Sequence, residues 1–509
     1  MNKRRFFLFG GLAVLYCLLL VLLVAAESAS PDASIVSVPA ALWYSLTTLT
    51  TVGYGDMYPV TAAGRVIGTV FQLASLGLLA LLIGAFVSAL RGALLPLLRL
   101  RFKRRKTWYV LSEVNEASLA LAGSLRSEDP DGVVLFAGTS DAAAPMYTAV
   151  ARTPAQIVAY HKDKAPTHVF CIGSDASENE RLASSLRDVC PHVYCLTAHE
   201  PDHLSENVIP FNPYECTARL YWHLWPVTGP TETIVIAGSG RYAEALLEQA
   251  LLQNVVDDPQ QIVYHIFGDF ADFRRNHPRL SEISGDRLLF SDAPWNADPS
   301  ILASADRLIF CNDDENSTVR DLTALLRYFP VTGKVHARLS GSFEGAETFG
   351  APEEIYSAEL VMKHRLSQTA IRLNDLYRAS APNAPAWNEL SWFIRRSNLA
   401  SADHLETKIR ILLPDIRTEQ ARGITLSPEL CRRAYQAFTM APESERERFR
   451  RIEHERWQRF HYLNNWSYAP VRDNALRHHP LLVPFEELSA ADQIKDDYAW
   501  ELLKEFIQI

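Results

Sequence analysis

Two long uncharged runs near the start of the chain limit its fold more than any other feature. Residues 6–26 and 66–90 contain no Asp, Glu, Lys or Arg. Each is long enough, as a helix rising 1.5 Å per residue, to cross a hydrocarbon layer of about 30 Å. Lys3, Arg4 and Arg5 precede the first run; Arg91, Arg99, Arg101 and the basic stretch 103–106 follow the second, and Arg65 is the only cation between them. Positive charge at both outer ends directs both termini to the cytoplasm and the intervening loop outward. The expectation is a multi-pass protein of the cell (inner) membrane. Ala25, Ala26 and Ser28 would also suit a cleaved signal peptide, but the apolar run exceeds a usual signal core.

Between the runs stands Thr51-Val52-Gly53-Tyr54-Gly55, followed by Asp56. Four such loops around one axis can replace the hydration shell of K⁺ with backbone carbonyls, to which the Thr51 hydroxyl adds an inner ring of oxygens. Gly53 and Gly55 tolerate the left-handed φ angles that keep successive carbonyls on one side. Pro39 suits the first turn of a short helix over 39–50 leading into the loop. This stretch, with Tyr58-Pro59-Val60-Thr61 and Gly64-Arg65 behind it, resembles the pore of bacterial two-span potassium channels. The resemblance implies K⁺ as permeant ion, a homotetramer in a lipid bilayer, and a hydrogen bond from Trp43 to Asp56 that keeps the filter taut. Two departures stand out. Thr47 replaces a glutamate found behind the filter in some relatives, and Ser75 lies where a hinge glycine is common, with Gly77 two residues on.

A pore of residues 1–98 leaves about 400 of the 509 residues for other domains. Residues 99–106 carry six cations in eight positions although the chain is net −9, which reads as an anchor at anionic headgroups rather than a nucleic-acid site. Seven cysteines show no CxxC pair or His/Cys spacing, so no metal site is expected, and the thiols read as reduced.

From Trp108 onward, short apolar runs alternate with helical patterns, the signature of parallel βαβ units. The pattern occurs twice, over 107–228 and 229–365, with Ser112 and Gly238 at matching turns and Cys171 and Cys311 on matching strands. The second copy carries Gly238-Ser239-Gly240-Arg241-Tyr242-Ala243 between a strand and a helix, the setting a dinucleotide fingerprint requires. Gly238 would make the tight turn, Gly240 would admit a phosphate, Ala243 would pack helix on strand, and Asp269 would reach a ribose. A turn that merely packs helix on sheet is the competing reading. The first copy has Ser112-Glu113-Val114-Asn115-Glu116-Ala117 there, with two acids and no glycine, which would repel phosphate. Two such lobes behind a pore resemble the RCK (regulator of K⁺ conductance) family, also on strand-end acids such as Asp313 and Asp314. Four chains with two lobes each would then close an eight-lobed gating ring, pulling the pore through the linker at 91–106. Such lobes bind Ca²⁺, other cations or nucleotides.

A helical connector is expected over 366–440. Residues 441–509 carry Asn465-Trp466-Ser467-Tyr468-Ala469-Pro470-Val471-Arg472-Asp473 and His479-Pro480-Leu481-Leu482-Val483-Pro484-Phe485. These runs resemble the ryanodine-receptor (RyR) repeat domain, with Ala469 where glycine is usual. Trp457, Trp466, Tyr468, Arg472 and His479 would offer aromatic faces for a base and a guanidinium for phosphate; alternatively the aromatics are this domain's core. Glu453-His454-Glu455 lacks the second histidine of a zinc-hydrolase helix, since Gln458 stands there.

The fold class expected is therefore multi-domain: an all-α two-span membrane pore module, tandem α/β Rossmann-like lobes, and a small mainly helical RyR repeat domain. With no placed base, nucleophile or metal set, an enzyme is not expected. The function expected is a ligand-gated tetrameric K⁺ channel sensing a nucleotide-type signal. The alternative is a constitutive or ion-regulated (Ca²⁺ or NAD(H)) K⁺ homeostasis channel in which the RyR domain is structural or binds a protein.

Overall fold

The computed structural model describes residues 3–89, 100–138, 147–161, 165–201, 207–381, 383–416, 423–501 and 503–507, with side chains of 3–14 and of several positions in 75–89 left outside the description. Ser75 and Gly77, and the linker at 90–99 with Pro96, lie outside it accordingly. The chain divides into two compact units, Met1–Phe102 and Lys103–Ile509.

The first unit has three helices: α1 (Lys3–Glu27), α2 (Val38–Leu49) and α3 (Ala62–Ala89). α2 starts where the Ser37 side chain accepts from the Ala40 N–H and Pro39 occupies the first turn. It is one residue out of step with the expected 39–50 at either end, and α3 begins four residues before the expected 66 because Thr61 Oγ1 accepts from the Gly64 N–H and starts the turn early. Leu20, Leu23, Ile35, Ala41, Tyr44 and Phe71 form the core. Glu27, fully buried, ends α1 by accepting from the N–H groups of Val60 and Thr61 and from the Thr61 hydroxyl. Among the described residues, which leave out the side chains of 3–14 and of several positions in 75–89, no helix is long and apolar enough to cross a membrane.

The second unit opens with two six-stranded sheets. The strands of lobe 1 are β1 (Trp108–Leu111), β2 (Val133–Ala137), β3 (Thr148–Val150), β4 (Thr167–Cys171), β5 (His192–Leu196) and β6 (Val208–Phe211). Those of lobe 2 are β7 (Thr231–Ala237), β8 (Gln261–Phe267), β9 (Arg287–Ser291), β10 (Arg307–Phe310), β11 (Lys334–Arg338) and β12 (Glu347–Phe349). The orders are β3-β2-β1-β4-β5-β6 and β12-β11-β10-β7-β8-β9, with every pairing parallel. This is the doubly wound nucleotide-fold order in both lobes, and a crevice opens where the order reverses, beyond β1 and β4 and beyond β7 and β10. Strands such as β1 and β10 are buried along their whole length, which is why β1, and β10 after Arg307, read as apolar runs. Helix α4 (Glu116–Glu128) follows β1, α5 (Pro213–Leu224) leads from lobe 1 to lobe 2, α6 (Arg241–Gln253) follows β7 and α7 (Glu315–Tyr328) follows β10.

The C-terminal part is mainly helical: α8 (Trp392–Leu412), α9 (Pro428–Met440), α10 (Glu443–Leu463), then the two-residue strands β13 (Ser467–Tyr468) and β14 (His478–His479). It shares one apolar core with lobe 2, in which Leu246 and Ile262 join Ile409, Phe438, Phe449 and Trp500. The core therefore runs unbroken across positions 365 and 440. Buried ion pairs stitch the same elements. Arg219 of α5 holds Asp403 of α8 at 2.7 Å, Arg396 holds Glu215 and Glu248 at 2.6 and 3.1 Å, and Lys408 holds Glu453 of α10 at 2.7 Å. Helix α8 thus touches lobe 1, lobe 2 and the C-terminal domain at once.

Candidate functional site

The loop after α2 is wired to that helix by its backbone. The N–H groups of Val52 and Gly53 both donate to Thr47 O, at 2.9 and 3.0 Å, and Thr51 N–H donates to Thr48 O at 3.1 Å. Every second residue has a positive φ: Thr51 at 65°, Gly53 at 54° and Gly55 at 74°. Such alternation turns successive carbonyls toward one side of the chain. Gly53 and Gly55 adopt it freely, but a β-branched residue at this φ is strained, at about 1–3 kcal/mol; the bonds to Thr47 and Thr48 hold it there. Trp43 Nε1 donates to Asp56 Oδ2 at 2.9 Å, and the Trp43 and Tyr54 rings lie parallel at 5.9 Å. In the single chain Trp43, Val52 and Tyr54 remain 45%, 54% and 68% exposed, an apolar face of the kind that marks an interaction surface. The buried Glu27 carboxylate behind the loop is a support that sequence reasoning missed. Its only signal was an acid closing an otherwise uncharged run.

In lobe 2 the glycine turn lies at the crevice. A Cβ on Gly238 would fall 2.1 Å from Cys311 O, so only glycine lets β7 and β10 end this close. Gly240 has φ 96°, and Ala243 is fully buried against the sheet. Beyond them a cavity of about 730 Å³ is lined by Asp269, Arg274, Phe290, Trp295, Asn312 and Asp321. Asp269 caps the next turn through the Ala271 N–H, at 3.1 Å. The place expected for phosphate is already filled. Asp313, arriving from the end of β10, accepts from the N–H groups of Arg241 and Tyr242 at 3.2 and 3.1 Å, and its carboxylate overlies Gly240. A carboxylate at a helix N-terminus satisfies the same orphan donors and dipole that would draw a phosphate. Lobe 1 has a counterpart: Glu113 accepts from Ser174 N–H at 3.2 Å and lies beside Gly173.

Around β13 and β14 the five expected ligand residues separate into two groups. Trp466 is 5% exposed and stacks on Phe393 at 5.1 Å, so its face is taken by the core; sequence could not foresee a partner 73 residues away. Trp457 is flanked by His454 and His461, and His479 stands edge-on to it at 4.9 Å. His479 Nδ1 accepts from Leu481 N–H, and burial, aided by the Arg472 charge, pulls the imidazole down to about 4, so it is neutral. Burial pulls His461 down to about 3. Tyr468 and Arg472 remain exposed, with Arg472 Nε donating to Asn474 Oδ1 at 3.0 Å. Among the described residues no group of three or more His, Cys, Asp or Glu could hold a metal ion.

Residues 7–92 match the ion-channel family, and residues 438–509 match the RyR domain family. Over 86 residues the chain is 46% identical to a voltage-gated potassium channel of Aeropyrum pernix, covering 16% of this chain and 28% of that protein. Over 83 residues it is 37% identical to the Shaker-related potassium channel tsha2 of Oncorhynchus mykiss, covering 15% and 17%. The chain thus spans less than a third of these relatives' length. Solved structures titled as the GsuK channel bound to ADP and bound to NAD align at 16% and 14% identity. Each alignment covers 72% of this chain, with 100% and 86% of the other and TM-scores of 0.35 and 0.34.

Proposed function

We propose that four copies of the chain form a K⁺-selective channel of the inner membrane, with residues 6–26 and 66–90 spanning the bilayer, both termini cytoplasmic, and the lobes forming an RCK-type ring. The chain matches the ion-channel family over residues 7–92 and the RyR domain family over 438–509, with two doubly wound α/β lobes between them in sequence. The observation that supports it best is the loop at 51–56. Its φ alternation, its anchorage to Thr47 and the Trp43–Asp56 bond suit a carbonyl-lined filter built from Thr51, Val52, Gly53, Tyr54 and Gly55. The exposed faces of Trp43 and Tyr54 suit contacts with neighbouring subunits. No catalytic role is assigned.

Gating by a nucleotide-type ligand is the preferred regulation. The crevice of lobe 2 (Gly238, Gly240, Ala243, Asp269) is one candidate receptor, and Tyr468 with Arg472 beside Trp457 and His479 is the other. The RyR domain favours ligand gating, because a pore that only balances K⁺ has no evident need of it. Asp313 favours a second reading, in which the crevice is closed to phosphate and the ring of a constitutive or Ca²⁺-regulated homeostasis channel is structural. Purified full-length protein in planar bilayers tests the core of the proposal: K⁺ and Rb⁺ should carry current and Na⁺ should not. Equal K⁺ and Na⁺ currents would refute it. Adding ADP, NAD⁺ or Ca²⁺ to the cytoplasmic side then separates the two modes of regulation.

A further inference from the structure

A second cavity of lobe 2 lies at the foot of the sheet, at the end opposite the glycine turn. It measures about 990 Å³ and is bounded by the linker at 225–231, by the starts of β7, β10 and β11, and by Arg410 in the last turn of α8. Its size is that of a pocket for a small organic molecule. One wall is aromatic: Trp225 stands edge-on to His336 at 5.2 Å, with Tyr221 behind at 5.5 Å from His336.

The charges around it are mostly committed. Arg307 Nε donates to Glu232 at 2.8 Å and its Nη1 to Trp225 O at 2.5 Å; Asp306 accepts from Thr233 N–H at 2.8 Å. Lys334 and Glu347 bring one charge of each sign. Arg410 differs. It is 5% exposed, and among the described residues Nη1 donates to Ile416 O at 3.3 Å while Nη2 is buried with no hydrogen-bond partner. Burial draws its pKa below the ordinary range, and the charge of Glu406 opposes the fall. A guanidinium presents a planar fork suited to carboxylate or phosphate, and leaving part of it buried and unpaired is costly unless something is bound there. Among the described residues none of Glu232, Asp306 and Glu347 in the wall, nor Glu406, hydrogen-bonds Nη2, and Glu406 holds His223 at 2.5 Å.

We propose that this cavity is a ligand site distinct from the glycine crevice, taking a small organic anion whose phosphate or carboxylate pairs with Arg410 while its body lies against Trp225 and His336. Its position gives it a regulatory reach. Arg410 ends the helix that holds Asp403 against lobe 1, Arg396 against lobe 2 and Lys408 against α10, so a ligand there bears on all three.

The test uses the full-length protein in detergent with three probes: AMP, citrate and inorganic phosphate, each at millimolar concentration. AMP or citrate is expected to raise Tm by mass action, and Arg410→Met to weaken that probe at least about tenfold by calorimetry, the equivalent of about 1.4 kcal/mol. A shift by AMP alone marks a nucleotide phosphate, and one by citrate a carboxylate. Without probe, Arg410→Met should melt at or above the wild-type temperature, because it removes an unpaired buried charge. If it melts lower, Arg410→Lys decides: a retained probe shift supports the site and a lost one overturns it. No shift with AMP or citrate, or an equal shift in wild type and Arg410→Met, overturns the proposal.

Discussion

The Asp313 carboxylate occupies the spot where a bound phosphate would contact the start of α6. Removing it exchanges an internal anion for an open one. Asp313→Ala should therefore bind ADP more tightly than wild type, by about tenfold or more, since a charge-assisted hydrogen bond is worth about 1.5–3 kcal/mol. The unliganded variant should lose about 1 kcal/mol of stability, as when a helix loses its cap. Titration calorimetry checks the first expectation and denaturant melts the second; unchanged ADP affinity would mean that the crevice is no phosphate site. The glycine turn was legible in the sequence because spacing alone defines it. Asp313 was legible only as one of several strand-end acids, because its role depends on β10 pairing with β7, a contact across 73 residues. At the pore loop a different single residue carries the weight. Trp43→Phe deletes the donor to Asp56 but keeps a ring to stack on Tyr54, so selectivity should persist while single-channel openings shorten. Open times equal to wild type would remove any role for that bond.

Helix α10 shows why the domain borders were harder to read than the strands. Its sequence announces a helix, but not that Arg459 is buried against lobe 2, where it holds Asp286 at 2.5 Å and donates to Ser284 O at 2.8 Å. Arg459→Met leaves Asp286 buried and uncompensated, and it should cost about 3–5 kcal/mol, visible as a lower Tm of the whole Lys103–Ile509 unit rather than of a separate domain. Deleting 441–509 would also strip the shared core of Phe449 and Trp500, so a point change such as Arg472→Ala is the cleaner probe of ligand response. The same helix brings a pH dependence. Burial, with Glu453 beside it, pushes Asp496 up to about 8, while Lys408 and Arg456 oppose the rise; Asp497 adds to it and His454 lies 4.0 Å away. An acid whose pKa is raised on folding contributes stability that is full below about pH 4 and is lost as pH rises through about 8. Between pH 5 and 9 wild type should therefore lose Tm, and Asp496→Asn should flatten that decline. A parallel decline in both proteins would assign the effect to another group.

At the scale of the whole molecule the proposed assembly rests on geometry that one chain carries only in part. A carbonyl-lined filter is not a property of one loop; it appears only when several loops face a common axis. Under the proposed assembly, the exposed Trp43, Val52 and Tyr54 are the faces one such loop would present alone. The order Thr-Val-Gly-Tyr-Gly suggested such a ring, and in the chain the positive φ values at Gly53 and Gly55 were legible from those two glycines. The strain at Thr51 was not, since sequence gives no φ for a threonine. Gly53→Ala separates backbone from packing in the assembled channel. A Cβ there meets nothing within 4 Å in the chain, so the substitution adds no clash within the subunit. It does place a side chain at φ 54°, which disfavours the native backbone by more than the 0.4–1 kcal/mol such exchanges gain elsewhere, in rough terms. The Lys103–Ile509 unit should melt as in wild type and the proposed tetramers should form, while the preference for K⁺ over Na⁺ falls by at least about tenfold, equivalent to about 1.4 kcal/mol. Reversal potentials under mixed K⁺ and Na⁺ measure that ratio directly. A variant that still assembles and keeps the wild-type ratio would show that the left-handed turn at Gly53 does not set the ion coordination.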